Sequence, residues 1–264
     1  MRLLFVGDVH GKPWRRILRE RLPRLRSRFG AQLVVANGEN AAGGAGINAG
    51  VIEEILAAGV DVVTGGNHTW QQRDAYELLD AEPRLLRPLN FPPGTPGRGA
   101  TTATARNGTR VGVVNAQGRV FMPAAVEDPF RGVRAEVERL REEIRVIIVD
   151  IHAEATSEKV ALGWYLDGLV SAVIGTHTHV QTADERVLPK GTAFICDVGM
   201  TGPRDGVLGM DRERIIERFL TSLPIRFEVA SGPAQLSAVA VEIDEDTGRA
   251  RSIERICETD DDAD

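Results

Sequence analysis

Leu169-Val170-Ser171-Ala172-Val173-Ile174-Gly175-Thr176-His177-Thr178-His179-Val180 is an apolar run that ends in two histidines one residue apart. A short apolar run closed by glycine reads as a buried strand. On extended backbone, side chains two apart share a face. A strand running through this segment would therefore offer two imidazole nitrogens side by side, which suits a metal ion.

The other three histidines repeat the placement. His10 follows Leu3-Leu4-Phe5-Val6-Gly7-Asp8-Val9, His68 follows Val60-Asp61-Val62-Val63-Thr64-Gly65-Gly66-Asn67, and His152 follows Val146-Ile147-Ile148-Val149-Asp150-Ile151. A single histidine at a strand end is ordinarily a hydrogen-bonded structural residue. Here all 5 histidines take that position, with Asp8, Glu39, Asn40 and Asn67 beside them.

Working outward, the apolar spacing predicts a strand over 2–6, a helix over 14–28, a strand over 32–37, a helix near 49–58, a strand over 60–65 and a helix over 71–80. Three successive strand-to-helix units imply a parallel sheet with a ligand site at the carboxyl ends of its strands. The stretch 83–99 is rich in proline and glycine and reads as an irregular connection, ahead of a short strand pair over 101–105 and 111–115. Further on come a charged amphipathic helix over 132–145, a strand over 146–151, a helix running towards 167 and a strand over 192–197. Residues 198–206 read as a glycine-bearing loop, 211–222 as a helix, and 235–244 with 249–257 as a closing hairpin. Thr156, Ser157 and Lys159 follow His152 closely, but helix capping and solvent exposure account for them.

The 264 residues, 42% of them hydrophobic, suit one large α/β domain over 1–258, with an acidic disordered tail over 259–264. A net charge of −6 argues against clamping a nucleic-acid duplex, which needs clustered Lys and Arg. The N-terminal apolar segment is too short for a secretory leader, and no apolar run has the length to span a bilayer. Cys196 and Cys257 make neither a disulfide framework nor a ligand spacing, so a reducing, cytoplasmic setting is expected.

Asp8, Glu39, Asn67, His152, His177 and His179 form a mixed oxygen and nitrogen set spread over five strand ends. Carboxylate and imidazole without thiolate suit manganese, iron or zinc, and the set is too rich in nitrogen for calcium. Six ligands exceed what one catalytic ion with an open position requires. Two ions about 3.5 to 4 Å apart, bridged by a carboxylate, account for the excess and suit displacement at phosphorus.

Asp8-Val9-His10, Gly38-Glu39-Asn40, Gly66-Asn67-His68-Thr69, His152 and Gly175-Thr176-His177-Thr178-His179 appear in that order. Together they resemble the signature of the calcineurin-like metallophosphoesterases. The Gly-Glu-Asn variant, with the stretches 176–184 and 197–203, is similar to the YmdB-type branch, and the likeness covers nearly the whole chain. The resemblance implies an α/β fold in four layers, a β-sandwich of mixed sheets flanked by helices. It implies that Glu39 bridges two ions, iron or manganese, with Asp8, Asn40 and His179 on one and Asn67, His152 and His177 on the other. It also implies a 2',3'-cyclic-nucleotide phosphodiesterase that works by attack of a bridging hydroxide, with His68 as general acid. The partner expected is a small phosphodiester or cyclic nucleotide. His10 departs from the branch, and its expected place is behind the ligands or near the phosphate.

A homo-oligomer is compatible with the sequence, with 198–209 a candidate subunit contact or substrate lid. Gly44-Ala45-Gly46-Ile47-Asn48-Ala49 has the spacing of a dinucleotide fingerprint, but it does not directly follow a strand. A non-catalytic regulator that binds metal and nucleotide is the alternative. A barrel amidohydrolase is disfavoured because the paired histidines come late in the chain.

Overall fold

Leu3 and Phe5 pack into one apolar cluster and Leu4 and Val6 into another, and all four are fully buried. A strand buried on both faces belongs to a sheet covered on both sides. The protein is described by a computed structural model covering residues 1–261.

Along the chain come β1 (Arg2–Val6), β2 (Asp8–Val9), α1 (Trp14–Arg28), β3 (Leu33–Asn37), α2 (Ala49–Ala57), β4 (Val62–Thr64), α3 (Ala75–Ala81) and β5 (Leu85–Leu86). They are followed by β6 (Ala100–Thr104), β7 (Arg110–Gln117), α4 (Pro129–Arg141), β8 (Val146–His152), α5 (Thr156–Tyr165), β9 (Ala172–Thr176) and β10 (Arg186–Val187). Last are β11 (Ala193–Ile195), β12 (Met200–Pro203), α6 (Arg212–Thr221), β13 (Ala234–Ile243) and β14 (Ala250–Thr259).

These strands form two mixed sheets. The first runs β2-β12-β13-β1-β3-β4-β5, with β14 also paired to β13. Its β1, β3, β4 and β5 are parallel, and β13 enters antiparallel beside β1. The second runs β10-β11-β9-β8-β7-β6, with β7, β8, β9 and β11 parallel and the two edge strands antiparallel.

The side-chain alternation sets the layers. Leu3, Phe5, Leu33 and Val35 face Val113, Val146, Ile148 and Ile174 across the space between the sheets. Leu4, Val6 and Val34 turn outward onto Trp14, Ile17, Leu18 and Ile55 of α1 and α2. Ile147 and Val149 of β8 turn outward onto Val133 and Val137 of α4 and Leu162 of α5. Burying side chains of this size contributes about 1.5–3 kcal/mol each. The result is the four-layer helix, sheet, sheet, helix sandwich that the resemblance implies.

The elements differ from the expected ones in instructive places. The three strand-to-helix units do place β1, β3 and β4 in parallel in one sheet, and β8 and β9 lie in the other. The stretch 83–99 carries β5, whose Leu85 and Leu86 pair with Val63 and Thr64. A two-residue strand has no period to read. The third helix begins only at Ala75, and the Asp74 carboxylate before it accepts from Ala49 N of the neighbouring helix instead of capping its own. The helix expected over 132–145 starts earlier, where Asp128 caps the Phe130 N–H and Pro129 takes the first turn. Disorder expected from 259 onward does not hold at its start. Thr259 ends β14, Asp260 accepts from Ala234 N, and Asp261 pairs with Arg204 at 2.7 Å. Residues 262–264 lie outside the described residues. Among the described residues no helix is long and apolar enough to cross a membrane.

Candidate metal centre

The carboxyl ends of β1, β3 and β4 meet those of β8 and β9 at one edge of the sandwich. Asp8 is held there by β2, which pairs with β12 through Met200 and Thr201, while His10 bridges to Asn40. The stretch 198–206, read as a loop, thus contains the strand that seats Asp8. Glu39 and Asn40 follow β3, Asn67 and His68 follow β4, His152 ends β8, and His177 and His179 follow β9.

Four ligand-type atoms crowd together. His152 Nε2 lies 3.2 Å from Glu39 Oε1, 3.0 Å from Asn67 Oδ1 and 3.0 Å from His177 Nδ1. Glu39, His152 and His177 can each place one ligand atom within 4.8 Å of the other two. Gly66 packs so closely that a Cβ there would collide with Glu39 Oε2 and the His152 ring. Burial alone would hold His152 down, but the Glu39 carboxylate beside it raises its pKa to about 9. Burial pushes the Glu39 carboxyl up, and His152 and His68 more than reverse this, leaving it well below the usual carboxylate range. Burial, with His152 next to it, depresses His177 to about 3, so at neutral pH the ring is uncharged and one of its nitrogens offers a lone pair.

The second group gathers around Asp8. Its Oδ2 accepts from His177 N at 3.0 Å, while its buried Oδ1 has no hydrogen-bond partner and lies 4.0 Å from His179 Nε2. Burial raises the Asp8 carboxyl. His179 Nδ1 sits 3.0 Å from Leu208 O, which turns Nε2 inward. Asn40 Nδ2 lies 3.1 Å from that Nε2 and donates to Glu39 Oε1 at 2.9 Å. Amide oxygen and nitrogen are exchanged by a flip of the side chain, and ligation by Asn40 requires the flipped amide. A centre where carboxylate oxygens, an amide oxygen and imidazole nitrogens face each other, with one carboxylate oxygen orphaned, fits cations of the carboxylate–imidazole type.

The two histidines converge by a different route from the expected one. β9 ends at Thr176, and His177 and His179 have φ of 102° and 66°. Left-handed backbone at two non-glycine residues is strained, at a cost of about 1–3 kcal/mol each. Asp197 holds the loop: its Oδ2 accepts from Thr178 N at 2.9 Å and Thr178 Oγ1 at 2.8 Å. Lys159, fully buried, donates to the same oxygen at 2.9 Å and to Thr176 O at 3.1 Å. Solvent exposure therefore does not explain Lys159. The mark it leaves in sequence is only a cation one turn into a helix.

His68 stands at the mouth. Its backbone N–H donates to Glu39 Oε2 at 3.0 Å, and its Nδ1 lies 2.9 Å from Asn40 Oδ1 and 3.2 Å from Glu39 Oε1. That leaves Nε2 for the cleft. His10 is buried beneath His179, ring centroids 5.2 Å apart, and neither of its nitrogens has a hydrogen-bond partner. Burial depresses it to about 3, so it is neutral at pH 7. His10, Gly44, Glu154, Leu208 and Met210 line the cleft with Glu39, Asn40, His177 and His179. The glycine-rich loop thus meets this cleft through Gly44.

A family model described as YmdB-like protein matches residues 4–256. The chain belongs to the YmdB-like family. It is 51% identical, over 99% of its own length and 98% of the relative's, to a 2',3'-cyclic-nucleotide 2'-phosphodiesterase of Bacillus subtilis (strain 168). A hypothetical protein from Thermus thermophilus superposes with a TM-score of 0.91 at 43% identity, covering 98% of this chain and 99% of that one. A crystal structure of a novel phosphatase from Mycoplasma pneumoniae superposes with a TM-score of 0.92 at 36% identity, covering 98% of this chain and 93% of that one.

Proposed function

We propose that this protein is a metal-dependent phosphodiesterase acting on small phosphodiesters, with 2',3'-cyclic nucleotides as the favoured class. One observation carries the reading: Glu39 Oε1, Asn67 Oδ1, His152 Nε2 and His177 Nδ1 converge at a cleft whose mouth holds His68. The substrate class rests on the activity of the Bacillus subtilis relative, a 2',3'-cyclic-nucleotide 2'-phosphodiesterase. All the residues involved act within a single domain.

Two ions, iron or manganese, fit the donor set. Asn67, His152 and His177 would hold one, Asp8, Asn40 and His179 the other, and Glu39 both. Bound there, such cations supply Lewis-acid polarisation of the phosphoryl oxygens and offset the charge that builds at phosphorus. The chain's own residues orient and protonate. As water adds to phosphorus and a P–O bond breaks, His68 gives a proton to the departing oxygen. Glu39 Oε1 fixes the far side of its ring, and the carboxylate stabilises the imidazolium that donates. Leu208 and Met210 give the cleft an apolar side.

Glu39→Gln tests this. The variant keeps its circular dichroism, binds less manganese, and loses hydrolysis of bis-p-nitrophenyl phosphate and 2',3'-cyclic AMP. Wild-type protein that stays inert with both after loading with manganese or iron would overturn the enzymatic reading in favour of a binding protein.

A further inference from the structure

Behind His152, on the side away from Glu39, a chain of hydrogen bonds crosses between the two sheets. His152 Nδ1 lies 2.9 Å from Thr176 Oγ1, and that hydroxyl donates to Asp150 Oδ1 at 2.8 Å. Asp150 Oδ2 accepts from Thr64 Oγ1 and, at 3.0 Å, from Asn37 Nδ2. Thr64 and Asn37 end β4 and β3 of the first sheet, while Asp150 and Thr176 belong to β8 and β9 of the second. All five residues are fully buried.

A hydroxyl has one proton to give. Thr176 gives its proton to a carboxylate that already accepts two others, so towards His152 it can only accept. In the neutral ring Nδ1 therefore carries the hydrogen, and Nε2 is the nitrogen left with a lone pair towards Glu39, Asn67 and His177. The main chain of Thr176 is held as well, since its carbonyl accepts from the buried Lys159.

We propose that Thr176, oriented by Asp150, is a positioning residue that sets the tautomer and aim of His152 for metal binding. The proposal rests on the metal reading above. An outer hydrogen bond of this kind typically changes metal affinity by about 10–100-fold.

The test compares Thr176→Val, which removes the hydroxyl at nearly constant shape, with Thr176→Ser, which keeps it. In manganese titrations followed by electron paramagnetic resonance, the valine variant binds about 10–100-fold more weakly, and the serine variant stays close to wild type. In zinc-loaded protein labelled with 15N-histidine, His152 of the wild type shows a proton on Nδ1. That measurement needs no variant and decides the case even if Thr176→Val fails to fold. Manganese affinity equal in the valine and serine variants, or an unprotonated Nδ1 in the zinc-loaded wild type, overturns the proposal alone. Wild-type protein that takes up neither ion overturns the metal reading and this proposal with it.

Discussion

His68 has one nitrogen committed and the other turned to the cleft. Nδ1 is held by Glu39 Oε1, and the backbone N–H is tied to Glu39 Oε2, which keeps the ring at the centre. A donor fixed in that way matters most when the departing oxygen is a poor leaving group. His68→Ala is therefore expected to slow 2',3'-cyclic AMP hydrolysis by about 10²–10⁴-fold. Bis-p-nitrophenyl phosphate should lose far less, because p-nitrophenolate needs little protonation. Steady-state turnover of the two substrates checks this, and equal losses would count against the acid role. At this scale the sequence was most legible for residue types, because Asp, Glu, Asn and His at strand ends are costly there without a task. It was least legible for which atom of each points inward. His177 presents Nδ1 to His152 because its Nε2 lies 3.3 Å from Glu154 Oε2, and His179 presents Nε2 because its Nδ1 meets Leu208 O. Neither partner is near its histidine in sequence.

At the scale of elements, the loop after β9 is held from behind by α5. Lys159 of that helix reaches Thr176 O and Asp197 Oδ2, and Asp197 in turn takes Thr178 N, Thr178 Oγ1 and, at 2.8 Å, Gly199 N. One buried ion pair thus clamps both the turn that carries the two histidines and the approach to β12. Removing one partner of a buried pair leaves the other charge uncompensated, which costs about 3–5 kcal/mol. Lys159→Met should lower unfolding free energy in urea by that order, with little change in the slope against denaturant. A variant as stable as wild type would show that the clamp is dispensable. The long helices and strands were legible here because their periods run over many residues, as α1 does from Trp14 to Arg28. β2, β5, β10 and β12 were not, because strands of two to four residues are defined by their partners. Asp150 left a better mark, being a carboxylate inside an otherwise apolar buried run.

At the scale of the whole molecule, the proposed ligand residues come from both sheets: Asp8, Glu39 and Asn67 from the first, His152, His177 and His179 from the second. Ions held between them would bind the folded sandwich and not the unfolded chain. At a free concentration of 100 times the dissociation constant, that stabilises by about 2.7 kcal/mol. For a chain of this size each kcal/mol moves the melting temperature by about 2–4 °C. Metal-stripped protein should accordingly melt several degrees lower and recover on adding manganese, as calorimetry would show. A melting temperature indifferent to chelator and to manganese would exclude ions bridging the two sheets.

The sequence by itself determined the alternation that buries both faces of β1, β3 and β8, the order of the motifs, and the acid and imidazole chemistry available at the strand ends. These depend on local period and residue type, which a linear chain carries in full. The tertiary structure alone decided that the parallel strands divide between two sheets, that β12 seats Asp8, that strained backbone brings His177 and His179 inward, and that Thr176 faces His152. Each of those is a contact between residues distant along the chain, and its geometry exists only once the two sheets have packed face to face.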